Sequence, residues 1–177
     1  MDKYRRVTID PRLERPCATG IAEIVKEIVS NDVNMKASPG YPLAIRYQTN
    51  RDVIENVGVS TIVNVVVLRI MMLANADLSD LSAEDLVLNG YVDPVRLFVK
   101  QEPHSRAKAE HQRWRLISSV SLVDQLVSRV LHSRLNVAEI MNFGSIPSQP
   151  GMGLEDEDIA RMRSWLDGRT LFSADVS

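Results

Sequence analysis

The sequence predicts a mixed α/β fold, mostly helical with a few short strands, and three observations predict it. Ile21, Ile24, Val25, Ile28 and Val29 recur at the spacing of one helix face. Residues 52–74, most apolar over 62–74, form a largely buried stretch too long for a strand. Residues 95–100 and 114–119 instead alternate apolar and polar, as strands do. The 177 residues are 45% apolar and 25% charged, with a formal charge of -2. That composition belongs to an ordinary globular chain and argues against disorder, collagen-like repeats and coiled coils. One cysteine, Cys17, excludes a disulfide framework and a Cys-based zinc site, and it fits a reducing compartment.

Taken in order, residues 1–18 hold Arg5, Arg6, Arg12, Arg15 and two prolines without periodicity, and read as an arm. No apolar core follows the basic start, so no signal peptide is expected. Thr19 is placed to cap the first helix. Residues 36–43, with Ser38-Pro39-Gly40 at their centre, cannot form regular structure. They are either a surface connection or a loop that brings backbone and Lys36 close to a ligand. Length favours a single helix over 52–74, although 63–67 would also pass for a strand; interrupted by Asn64 and Arg69, its apolar part falls short of a membrane span. Ser82 and Asp85 form a capping box for a short helix closed by Gly90. Ser121 starts another helix, with Asp124 at N3 and Leu122, Val123, Leu126, Val127, Val130 and Leu131 facing inward.

After a Gly/Pro-rich loop, Glu155, Asp156, Glu157 and Asp158 open a further helix. Their order, with Arg161 and Arg163 later, is that of macrodipole compensation and not of a metal site. Residues 170–176 read as a last strand. A chain that stops inside an emerging strand reads as a fragment.

Charge is unevenly spread. Arg96, Lys100, Arg106, Lys108, Arg113 and Arg115 face only Glu102 and Glu110, while residues 70–95 hold no Lys or Arg. A basic hairpin-like segment on a neutral chain is either an electrostatic footprint for phosphate or a solvated loop. Lys100 and Arg115 belong to apolar strands, which fix their positions. On its strand Arg115 shares a face with Ile117, and a guanidinium so held can offer its fork to phosphate oxygens. His104 and His111 have no partner at a telling spacing and read as loop residues without a role.

Five short stretches then carry a family resemblance. They are Ser38-Pro39-Gly40-Tyr41-Pro42, Phe98-Val99-Lys100-Gln101-Glu102-Pro103, Arg113-Trp114-Arg115-Leu116-Ile117-Ser118-Ser119 with the following Ser121-Leu122-Val123-Asp124-Gln125-Leu126, Gln149-Pro150-Gly151-Met152-Gly153-Leu154, and Phe172-Ser173-Ala174-Asp175-Val176-Ser177. In this order they resemble the viral RNA-dependent RNA polymerases of the sobemovirus, polerovirus and barnavirus group.

The resemblance implies the fingers and the first palm strand of a right-hand polymerase, incomplete. Residues 1–35 would be an arm and helix, 36–168 the fingers with a basic motif at 96–119, and 169–177 the start of the palm. Lys100 and Arg115 would line the nucleotide channel and contact the incoming triphosphate, with Arg113 and Lys108 as weaker candidates. Ser38, Pro39 and Gly40 would lie near the template RNA. Asp175 would ligate catalytic magnesium, with manganese as a possible substitute. The implied partners are template and nascent RNA, nucleoside triphosphates and the missing palm and thumb. The implied place is the host cytoplasm, at viral replication complexes. Lacking a Gly-Asp-Asp, the chain alone is expected not to polymerise and to be of marginal stability. Two other readings stand beside this one: a non-catalytic RNA-binding module using 96–115, and a relative of reverse transcriptases.

Overall fold

The computed structural model describes residues 7–103, 105–142, 144–146, 153 and 155–170. The chain divides into two compact units, one of residues 10–132 and one of residues 1–9 with 133–177. Among the described residues the elements are helical apart from one antiparallel pair of strands, as a mixed, mostly helical fold requires.

In the larger unit, α1 (Pro11–Glu14) is a single turn inside the stretch expected to be an irregular arm. Asp10 caps it by accepting from the Arg12 amide, and proline opens it with a φ already suited to a helix. The Arg12 guanidinium also donates to Asp10 and, at 2.7 Å, to Glu27, so charge pairing organises this turn. Helix α2 (Ala18–Asn31) begins at Cys17 and not at Thr19, with the Cys17 Sγ accepting from the Gly20 amide. Its predicted face, Ile21, Ile24, Val25, Ile28 and Val29, is buried.

The single helix expected over 52–74 is two: α3 (Asn50–Val57) and α4 (Val59–Asn75), bent by 102° at Gly58. Gly58 adopts φ 85° and ψ 143°, a backbone region that side chains with a Cβ rarely enter. Thr49 and Asp52 form a capping box for α3, which makes residue 49 a start signal. Residues 63–67 are helical, which excludes the strand alternative. No single helix among the described residues is long and apolar enough to cross a membrane.

Helix α4 packs Ile62, Val63, Val66 and Ile70 against α2, and Val53 of α3 closes one side. The start of α7 (Leu122–Met141) adds Leu122, Val123, Leu126, Val127 and Val130 to the same core. Leu131, expected on this face, is exposed, so the inward stripe ends at Val130. Between them lie α5 (Ala83–Leu88), with the expected Ser82–Asp85 capping box, and β1 (Arg96–Val99). Next come α6 (Arg106–Glu110), a short helix that the sequence reading did not foresee, and β2 (Leu116–Ser119). In the smaller unit, α8 (Asp156–Leu166) carries Asp156, Glu157 and Asp158 in its first turn, and the Trp165 ring lies over Gly144. The expected strand at 170–176 lies outside the described residues beyond Thr170.

Candidate nucleotide-facing hairpin

The site is built on the β1–β2 hairpin. Its register pairs Arg96 with Ser119, Leu97 with Ser118, Phe98 with Ile117 and Val99 with Leu116. The ladder runs one residue further, where the Lys100 amide donates to the Arg115 carbonyl at 2.8 Å. Side chains alternate between the two faces of a strand, so Lys100 and Arg115 face each other beside Phe98 and Ile117. The predicted face sharing of Arg115 and Ile117 is therefore present. Arg96 belongs to the same face, with its guanidinium 5.7 Å from the Phe98 ring centre. Leu97, Val99 and Leu116 lie exposed on the other face.

A third side chain joins the two cations. Glu102 accepts from Lys100 Nζ at 2.7 Å through Oε2 and from Arg115 Nη1 at 2.9 Å through Oε1. The Lys100 ammonium is the largest cause that holds the Glu102 carboxyl below its ordinary range; desolvation opposes it, and the Arg115 guanidinium adds to the lowering. All three remain in reach of solvent, with 40% of Lys100, 62% of Arg115 and 23% of Glu102 side-chain surface accessible. Sequence reading counted Glu102 only as an opposing charge. Its position two residues after Lys100 was the available signal.

Lys108 and Arg113 sit at the far end of the hairpin, both exposed, and the Arg113 amide donates a hydrogen bond to the Lys108 carbonyl at 2.9 Å. Gln112 between them has φ 53°, which turns the chain out of α6. His111 Nδ1 lies 2.8 Å from the Ala107 carbonyl, and His104 is outside the described residues.

The hairpin is tied down where it enters and leaves the helical body. Arg69, the one charged residue of α4, donates to Asp124 at 2.7 Å and to Asp93 at 3.1 Å. The Asp93 amide, just before β1, donates to the other Asp124 oxygen at 2.8 Å. After β2, Gln125 bonds the Val120 carbonyl, and the Ser121 hydroxyl caps α7 through the Asp124 amide. This Arg–Asp–Asp cluster was not foreseen, although an arginine inside an apolar helix is itself a sign of a buried partner.

The Ser38–Gly40 loop lies against the same junction. Pro39 and Gly40 are buried and Ser38 is exposed. The Pro39 carbonyl accepts from the Leu122 amide at 2.7 Å, and a Cβ on Gly40 would stand 2.5 Å from the Val120 carbonyl oxygen. On its other side, the Asn50 and Arg51 amides donate to the Ala37 and Met35 carbonyls. Pro39 and Gly40 thus have a packing task of their own, and Ser38 is the member of the three that reaches solvent.

Among the described residues, no three His, Cys, Asp or Glu side chains gather into a group able to hold a metal ion. Asp175 lies outside the described residues. A magnesium ion asks for several oxygen ligands, so the described carboxylates do not fit such a site.

Comparison with known proteins gives these residues a family. A model of viral RNA-directed RNA polymerase matches residues 11–174. The replicase polyprotein P2AB of Cocksfoot mottle virus is 51% identical over 151 residues, 80% of this chain and 16% of the relative. Protein P1-P2 of Potato leafroll virus is 40% identical over 78% of this chain and 13% of its own length. The RNA-directed RNA polymerase of Mushroom bacilliform virus is 38% identical over 87% of this chain and 36% of its own length. The chain thus spans about a sixth of the Cocksfoot mottle virus relative. No solved structure matches it. With a family match across most of its length, the chain belongs to the viral RNA-directed RNA polymerases.

Proposed function

We propose that this segment serves as part of the fingers of a viral RNA-dependent RNA polymerase and that its hairpin binds the triphosphate of the incoming nucleotide. The observation that carries the reading is the juxtaposition of Lys100 and Arg115 on one face of a braced hairpin. Phosphoryl transfer asks a protein mainly for positioning and charge neutralisation. An ammonium and a guanidinium held opposite each other supply both: a point charge that follows the phosphates and a planar fork that orients them. Rigidity matters as much as charge, because a cation that must be ordered on binding loses part of its interaction to entropy.

In this reading Arg113 and Lys108 extend the cationic track along the exposed end of the hairpin. Ser38 faces the template strand, with Pro39 and Gly40 holding its loop in place. Asp175 is assigned to the first palm motif and gives the magnesium ions one ligand from this chain. The segment's own share of the reaction is to bind and orient the triphosphate. The work is done as part of a longer replicase, acting on RNA and nucleoside triphosphates in the cytoplasm of the infected host cell.

The test uses the complete replicase that carries this segment. Arg115→Ala should raise the KM for nucleotides about tenfold or more, the size of a lost charge-assisted contact, and change RNA affinity little. An unchanged KM with RNA affinity lost would support the RNA-binding module instead.

A further inference from the structure

We propose that Glu102 is a built-in counter-anion, holding the places that phosphate oxygens take between Lys100 and Arg115 and leaving when a polyphosphate arrives. The inference rests on the triphosphate reading of the same hairpin, and adds to it a residue that regulates the site.

Each Glu102 oxygen takes one cation, Oε2 the Lys100 ammonium and Oε1 the Arg115 guanidinium. That is the arrangement two oxygens of a polyphosphate chain would adopt on the same pair. Glu102 lies just past the ladder, where its amide bonds the Lys100 carbonyl at 3.0 Å in a tight turn. Its backbone is tied to this turn, and its side chain borders solvent. Among the described residues, no other hydrogen bond or ion pair holds the carboxylate. Surface ion pairs of this kind are weak, so a more highly charged anion that reaches both cations at once can displace it.

The consequence is a site that stays ordered when empty. Without Glu102 the two cations would repel each other across the hairpin. With it they are paired, and lose the partner only to an anion of greater charge. Removal of the carboxylate takes one internal competitor away from both cations. Anion affinity must then rise, whereas loss of a merely structural brace would lower it.

The experiment titrates the 177-residue chain with inorganic tripolyphosphate at low salt. The variants compared are Glu102→Gln, Glu102→Asp and the double variant Lys100→Ala with Arg115→Ala. Glu102→Gln should bind about fivefold more tightly, the size of one unit charge removed at contact distance in water, and Glu102→Asp should stay near the wild type. If wild-type binding falls in the double variant but Glu102→Gln binds no more tightly, the counter-anion is overturned and the triphosphate wall stands. If the double variant binds as the wild type does, or no form binds, the wall itself is overturned and Glu102 with it.

Discussion

Arg69 and Asp124 meet at 2.7 Å, joining the middle of α4 to the first turn of α7 directly beneath the hairpin. Asp124 uses its second oxygen to hold the Asp93 amide, so a single carboxylate fixes both the strand entry and the helix that follows the strand exit. Arg69 and Asp124 keep only 11% and 16% of their side-chain surface exposed. Removing one partner leaves a charge that neither water nor protein satisfies well. Arg69→Ala should cost about 2–4 kcal/mol, read by urea unfolding of the chain. A loss below about 0.5 kcal/mol would mean that the cluster is ornamental.

Gly40 and Gly58 both have positive φ, 68° and 85°, yet their surroundings differ. A Cβ on Gly40 meets the Val120 carbonyl, whereas one on Gly58 meets nothing within 4 Å. Gly58→Ala should cost about 1–3 kcal/mol of backbone strain, and Gly40→Ala measurably more. Equal losses in thermal or urea unfolding would refute the close approach of the Ser38–Gly40 loop to the hairpin base.

The Glu102 carboxyl is held below the ordinary glutamate value of 4.5. Since the folded value lies under the unfolded one, its ion pairs contribute above the ordinary range and are lost as pH falls through the lowered value. Carboxyl NMR should therefore show a depressed midpoint. Lys100→Ala and Arg115→Ala should each raise it, because the ammonium is its largest cause and the guanidinium adds to it. A midpoint at the ordinary value would show that the bridge does not persist in solution.

Leu126 is fully buried and Leu131, five residues on in the same helix, is 55% exposed. Leu126→Ala should lose about 2–5 kcal/mol and Leu131→Ala well under half of that. Similar losses at both would restore the wider inward face that the apolar pattern suggests.

Much of the larger unit was legible because its signals are local. The α2 face, the Ser82 capping box and the Asp124 position all follow from spacing within one turn or two. The break at Gly58 was missed because a lone glycine does not by itself end a helical pattern, while its φ of 85° belongs to the junction of two helices. Leu131 continues the apolar pattern of α7 yet is exposed, because the pattern along one helix does not show how wide a face its neighbours cover. At the site, alternation foretold that Arg115 shares a face with Ile117. It could not set the register that brings Lys100 opposite, since pairing joins residues fifteen positions apart. The Arg69–Asp93–Asp124 cluster is a long-range arrangement of the same kind.

The most direct test of the triphosphate wall is an NMR titration of the labelled chain with tripolyphosphate. The account predicts shifts concentrated at Lys100, Glu102 and Arg115 and abolished by the double substitution Lys100→Ala with Arg115→Ala. Shifts spread evenly over exposed arginines such as Arg106 and Arg51, and unchanged by that double substitution, would contradict it.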